Sequence, residues 1–144
     1  METIEISTRA RSAYVDITRE VQGAVTASGV QTGAAVVWSL HTTGGVTVNE
    51  NADPDVMEDV LATLERMVPR SGPYAHREGN SDAHVKASLV GLSVTVPIEG
   101  GRLVFGTWQG IYFCEFDGPR RRRVGVQVIE SRKAGTTDFT DCTD

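Results

Sequence analysis

The chain has 144 residues, 40% of them hydrophobic and 23% charged, and 19 acidic against 14 basic side chains give a net charge of −5. Those values describe one soluble globular domain and count against a nucleic-acid partner. No apolar run nears the roughly 18 residues that span a bilayer, no basic-then-apolar leader opens the chain, and two cysteines are too few for a disulfide framework. The expectation is a cytoplasmic protein with no membrane partner.

Residues 1–8 alternate, with Ile4 and Ile6 on one side and Thr3, Glu5 and Ser7 on the other, as in a half-buried strand. Asp16 and Thr18 are helix-capping types, and Ile17, Val21 and Val25 follow at helical spacing until Gly29 stops the run. Residues 33–41 read as a strongly apolar, central strand ending on His41; 42–45 turn, and 46–51 resume as a strand. Asp53-Pro54-Asp55 is a helix start, and Val56, Val60, Leu64 and Met67 mark one face of a helix ending near Pro69.

Asn80, Ser81 and Asp82 offer side-chain oxygens for a further helix start, which puts His84 in the first turn of a short helix stopped by Gly91. Ser88 shares the His84 face, while Val85 and Leu89 are expected to turn to the core. Strands follow at 92–98, with Pro97 at an edge, and at 103–105, 111–116 and 120–130, joined by hairpin turns. About seven strands and three helices, rich in hairpins, predict an α+β, mostly antiparallel fold. One domain is expected over 1–133, with a mobile acidic tail at 134–144.

The three histidines are His41 at a strand end, His76 in a loop and His84 at a helix start. Neutral imidazoles suit zinc, and three protein ligands with one open position are the usual catalytic arrangement, although no short motif links these three. Backbone donors in the first turn around His84 favour an anion. Glu115 shares the face of Ile111 and Phe113, opposite Tyr112, Cys114 and Phe116. An acid there either meets solvent at a sheet end or is held by a partner, and it is a candidate general base.

Residues 120–123 are the one basic cluster, but strand alternation divides them between two faces. Arg120, just after the Asp-Gly-Pro turn, is the member placed to hold a phosphate by bidentate contacts. Lys86 and Arg77 add positive charge near the histidine stretch. Trp108, with Gln109, stands between Gly106 and Gly110 and reads as an exposed aromatic able to stack on a planar ligand or anchor a neighbouring subunit.

Four stretches resemble the YjbQ family, sometimes labelled secondary thiamine-phosphate synthase. They are His41-Thr-Thr-Gly-Gly-Val-Thr-Val-Asn-Glu-Asn-Ala-Asp53, Asn80-Ser-Asp-Ala-His-Val-Lys-Ala-Ser88, Gly106-Thr-Trp-Gln-Gly-Ile111 and Asp117-Gly-Pro-Arg120, within a likeness over about residues 2–131. The resemblance implies an antiparallel β-sandwich with helices, assembled as a homotrimer. It implies thiamine-phosphate synthase-like chemistry, in which a pyrimidine diphosphate joins a thiazole phosphate with release of pyrophosphate. By position it makes His41, His76 and His84 ligands of a divalent metal, zinc by ligand type. Asn49, Asn51, Asp53, Ser88, Trp108, Gln109 and Arg120 then become substrate-binding residues, and Lys86 and Glu115 catalytic ones. The expected ligand is a small phosphorylated or anionic molecule; the alternative is a non-catalytic trimeric module binding a metal or anion. Three histidines and no acid-rich motif for a Mg²⁺–diphosphate argue against diphosphate transfer as the primary activity.

Overall fold

The computed structural model describes residues 1–132; the expected acidic tail, with Cys142, lies outside them. In chain order the elements are β1 (Glu2–Ser7), β2 (Ala13–Asp16), α1 (Thr18–Ser28), β3 (Thr32–Ser39), β4 (Gly44–Glu50), α2 (Pro54–Met67) and α3 (Ser81–Val90). β5 (Ser93–Glu99), β6 (Arg102–Leu103), β7 (Gln109–Glu115) and β8 (Arg121–Glu130) complete them. One sheet has the order β1-β8-β3-β5-β6 and the other β2-β7-β4, with every pairing antiparallel. The expected α+β, antiparallel class holds, and β3 is the middle strand of its sheet.

Alternation along the strands builds the main core. Val37 of β3, Val126 of β8 and Ile4 of β1 meet Val46 of β4 and Ile111 and Phe113 of β7 between the sheets, with Val21 and Val25 of α1 closing one side. The opposite face of β7 carries Tyr112 and Cys114, which pack with Phe116 against Met57 of α2 and Ala83 and Ala87 of α3. The smaller sheet is thus covered on both faces, by the larger sheet and by the two later helices.

Three expectations are corrected. β2 makes an eighth strand that the sequence reading missed: four residues give too little alternation to register, and pairing with β7 imposes the extended form. On α3, Val85 and Leu89 are exposed, at 41% and 57%, while Asp82, Ala83, Lys86 and Ala87 are buried. The two alanines let α3 approach β4 closely, and an ion pair between Asp82 and Lys86 satisfies both buried charges. On α2, Met57 is the fully buried residue and Met67 is exposed; Val56, Val60 and Leu64 line an open apolar groove with Leu89 and Val90.

The close approach of α3 to β4 depends on Gly45. A Cβ there would lie 2.5 Å from the Gly91 carbonyl oxygen and 3.0 Å from a Val90 methyl. Gly45→Ala is therefore expected to lower stability by about 1–3 kcal/mol, the usual range for overpacking, read as a shift of the urea midpoint at unchanged slope.

Candidate functional site

A buried ion pair joins the two sheets at one end. Glu115, the last residue of β7, accepts Arg122 Nε of β8 at 2.7 Å and also a short bond from Nη2. Neither side chain is more than 2% exposed. Glu115 further accepts the Asp117 N–H at 2.9 Å and the Thr8 hydroxyl at 2.9 Å, and Arg122 Nη2 reaches the Thr43 hydroxyl at 2.8 Å. Burial pushes the Glu115 carboxyl up, but these bonds, that from Arg122 foremost, hold it below its ordinary value. The turn over this pair requires Gly118, because a Cβ would lie 2.3 Å from the Ala10 carbonyl oxygen.

Above the pair opens a pocket of about 340 Å³. Leu40, His41, Thr42 and Thr43 line it from the β3–β4 turn, Glu78, Asn80 and His84 from the start of α3 and the loop before it, Asp117 and Arg120 from the β7–β8 connection, and Arg122 from β8. His41 Nε2 accepts the Arg123 backbone N–H at 2.8 Å, so in the neutral ring the proton resides on Nδ1. Burial lowers the His41 pKa, and the charges of Arg122 and Arg123 lower it further.

Asn80, at the N-cap of α3, does not cap the helix with its side chain. Its amide donates to Asp117 Oδ2 at 2.9 Å instead. That leaves Asn80 Oδ1 and Ser81 Oγ buried without a partner at an uncapped helix N-terminus, beside the pocket. Asp117 also accepts Arg11 Nη1 at 3.3 Å and Arg120 Nη2 at 3.2 Å. Arg11 bridges on to Asp82 at 2.9 Å, and Asp82 to Lys86 at 2.9 Å. Lys86, only 1% exposed, ends the chain of charges at Glu65 of α2, 2.7 Å away. Burial raises the Asp82 carboxyl, but Lys86 and Arg11 outweigh it, and the net shift is downward.

The residues expected to act together divide into two groups. His41, His84, Arg120 and Glu115 gather at or beneath the pocket, and His76 meets His84 edge-on with ring centroids 5.4 Å apart. His76 also lies 3.6 Å from Glu78. Lys86 is near but held by its two acids, and the Ser88 hydroxyl donates to the His84 carbonyl oxygen on an exposed face. Asn49, Asn51, Asp53, Trp108 and Gln109 lie elsewhere. Gly44 pairs with Glu115 at one end of β4 while Glu50 pairs with Gln109 at the other, a strand length of about 20 Å. At that far end Asp53 accepts the Asp55 N–H as a helix cap. The sequence reading gave no role to Arg11, Thr43 or Asp117; Thr43 and Asp117 stand inside two of the quoted stretches, but tertiary contact alone reveals what each of the three holds.

Comparison with known proteins decides the family. The family described as "UPF0047 protein YjbQ-like" matches residues 2–131. The chain belongs to the YjbQ-like UPF0047 family. UPF0047 protein MJ1081 of Methanocaldococcus jannaschii is 50% identical over 125 residues, 87% of this chain and 91% of that protein. UPF0047 protein YugU of Bacillus subtilis is 48% identical over 130 residues, 90% of this chain and 98% of its own length. A crystal structure of a YjbQ/UPF0047 protein from Clostridium acetobutylicum superposes with a TM-score of 0.88 at 53% identity, covering 90% of this chain and all of that one.

A zinc site of three imidazoles does not fit the side-chain arrangement of this YjbQ-like chain. The His41 Nε2 lone pair is committed to a backbone N–H, and its Nδ1 carries a proton. Among the described residues no three His, Cys, Asp or Glu side chains are grouped to share one ion.

Two outcomes follow. Removing Arg122 as Arg122→Leu strands the buried Glu115 carboxylate and is expected to cost about 3–5 kcal/mol in urea unfolding at pH 7. Because the folded Glu115 pKa lies below its unfolded value of 4.5, the pair's contribution is complete above that pH and fades as acid titrates the folded carboxyl. The gap between wild type and Glu115→Gln should therefore narrow as the pH falls from 5 to 3. Secondly, histidine NMR should show His41 titrating below 6.5, its ordinary value.

Proposed function

We propose that this YjbQ-like protein binds a small phosphorylated molecule in the His41–His84–Arg120 pocket and acts on it. The observation that carries the reading is the uncapped start of α3. The first turn of α3, with the unpartnered Ser81 hydroxyl as a free donor, adjoins a pocket that presents Arg120 and the His41 Nδ1 proton beside the acids Glu78 and Asp117. Backbone donors and a positive dipole end suit phosphate oxygens, and a guanidinium supports them. His41 then serves as a donor to an anion rather than as a lone pair to a metal. His84, across the same pocket, is the group available for proton transfer.

Thiamine-phosphate synthase-like transfer belongs to this class, since a departing diphosphate needs donors where charge develops. Self-association as a homotrimer belongs to the same proposal. The expected divalent metal, zinc by ligand type, would need His41 to release the Arg123 N–H, and no step here is routed through it. Metal content of protein purified without chelators, compared with His84→Ala, tests that point; equal content removes His84 as a ligand.

One observation favours the second reading, a non-catalytic anion-binding module. Glu115, the expected base, is held by the buried Arg122, and Lys86, the expected charge carrier, by the buried Asp82 and the half-exposed Glu65, which leaves neither free to exchange protons with a ligand.

Calorimetric titration with inorganic pyrophosphate tests the shared core of both readings. His84→Ala and Arg120→Ala should each weaken binding by about 10–100-fold, the loss of one charge-assisted contact. Unchanged affinity in both variants would remove the pocket from consideration. A screen for turnover of phosphorylated metabolites, with loss of rate in His84→Ala, separates the enzyme from the module.

A further inference from the structure

A second cavity opens beside α1, and it shares no lining residue with the His41 pocket. Its volume is about 670 Å³, within the usual range for a small-molecule site. Arg19, Gly23 and Ala27 line it from α1, and Arg102, Leu103 and Phe105 from β6 and the segment that follows. Leu103 is buried in the main core, and Phe105 packs against that core while staying half-exposed to the cleft.

Hydrogen bonds fix the walls and occupy the neutral polar groups of the lining. Gln22 of α1 donates to the Gly101 carbonyl oxygen at 3.0 Å and accepts the Leu103 N–H at 2.9 Å, which ties the helix to the β5–β6 turn. The Thr26 hydroxyl donates to the Gln22 carbonyl oxygen at 2.9 Å, and Thr18 Oγ1 accepts the Ile111 N–H at 2.9 Å. The two guanidiniums are different. Neither Arg19 nor Arg102 enters an ion pair among the described residues. That holds although Glu20 follows Arg19 in the chain and Glu99 stands opposite Arg102 in the β5–β6 register. Asp16, just before α1, is engaged by the Thr18 N–H and hydroxyl. No acid lines this cleft, whereas the His41 pocket includes Glu78 and Asp117 and the α2–α3 groove includes Asp59.

Gly23 is an independent observation. It sits in the middle of α1, where glycine is the least favourable residue after proline. Its φ is not positive, and a Cβ there would meet no other part of the fold within 4 Å. Neither backbone geometry nor packing within the chain therefore calls for glycine. Its missing side chain leaves open space in a cleft that already carries two uncommitted arginines and an aromatic ring.

We propose that this cleft is a second ligand site, separate from the His41 pocket, for a small aromatic acid. The ring of the ligand lies over Gly23 and Ala27 against Phe105, and its carboxylate is held by Arg19 and Arg102. Apolar area and ring contact retain the body, and the guanidinium fork matches a planar carboxylate. The site stands on its own geometry and needs nothing from the anion-binding reading above.

Calorimetric titration of the intact protein with three probes tests it: 1-naphthoate, uncharged 1-naphthylmethanol, and acetate, which has the charge without the ring. Naphthoate should bind about tenfold or more tighter than either of the others. Arg19→Ala and Arg102→Ala should each weaken naphthoate binding by about tenfold, the loss of one charge-assisted contact. Gly23→Leu fills the cleft and should abolish naphthoate binding. The same change should raise the thermal midpoint by roughly 2–4 °C, because leucine is the better helix former, so misfolding cannot account for the loss.

A wild type that does not bind naphthoate overturns the proposal, as does a Gly23→Leu variant that binds it unchanged. Equal affinity for naphthoate and naphthylmethanol removes the role of the arginines and overturns it as well. Loss of naphthoate binding in Leu89→Asp, with none in Gly23→Leu, places the probe in the α2–α3 groove and has the same force. Pyrophosphate binding should be untouched by Gly23→Leu, so the His41 pocket stands or falls on its own titration.

Discussion

The structure depends on one buried ion pair. Glu115 belongs to the smaller sheet and Arg122 to the larger, and no other described charge pair links the two. Two ions removed from water are costly unless nearly every donor and acceptor is met. Here the carboxylate takes bonds from Arg122, the Thr8 hydroxyl and the Asp117 N–H, and the guanidinium takes the Thr43 hydroxyl as well. Each partner comes from a different connection: the segment after β1, the β3–β4 turn and the β7–β8 turn. Satisfying the pair therefore fixes three loops at once, and two of them, the β3–β4 turn and the β7–β8 turn, line the pocket.

Fixed loops matter because the pocket's chemistry is set by orientation rather than by residue type. His41 becomes a donor toward the pocket because the Arg123 N–H occupies its Nε2, and that N–H is placed by the strand that also buries Arg122. Arg122 and Arg123 are adjacent yet act on opposite sides of β8. One neutralises Glu115; the other supplies the backbone donor that selects the tautomer. Burial first, and then both charges, make a cationic His41 less favourable, with Glu115 opposing them in part.

Much of this was legible along the chain because strands and caps are local. The β5–β6 hairpin, the Asp53 cap and the exposed Trp108 follow from turn chemistry and alternation. The other expected hairpins of the second half are corrected: β7 pairs with neither β6 nor β8, and the turn at 117–119 carries the chain from one sheet to the other. Parity also held the central clue. Glu115 shares a face with Phe113, and Arg122 one with Val124 and Val126, so opposite charges stand at inward positions of two strands joined by a short turn. Each charge taken alone suggests either solvent or a partner; only together do they name each other. What periodicity could not give was the outcome on α3. Val85 and Leu89 obey the helical spacing of a core face, and Asp82 and Lys86 that of a solvated one. The reverse occurs because the helix lies against its neighbours through alanines, with too little room for branched chains.

That inversion explains the second line of charges. Once α3 buries Asp82 and Lys86, each needs opposite charge within reach, and the side chains at hand extend the chain in both directions. Lys86 takes Glu65 from α2; Asp82 takes Arg11, which takes Asp117, which takes Arg120 and the Asn80 amide. Asn80 is consequently drawn away from capping its own helix. An uncapped helix start would be a defect in a protein shaped by stability alone, since one side-chain cap contributes about 1 kcal/mol. Here the helix start lies beside a pocket, and the residue that would have capped it is occupied by the network that holds the helix in place. The arrangement gives up one local hydrogen bond at the helix start and keeps the Asn80 amide in the network that holds the helix in place.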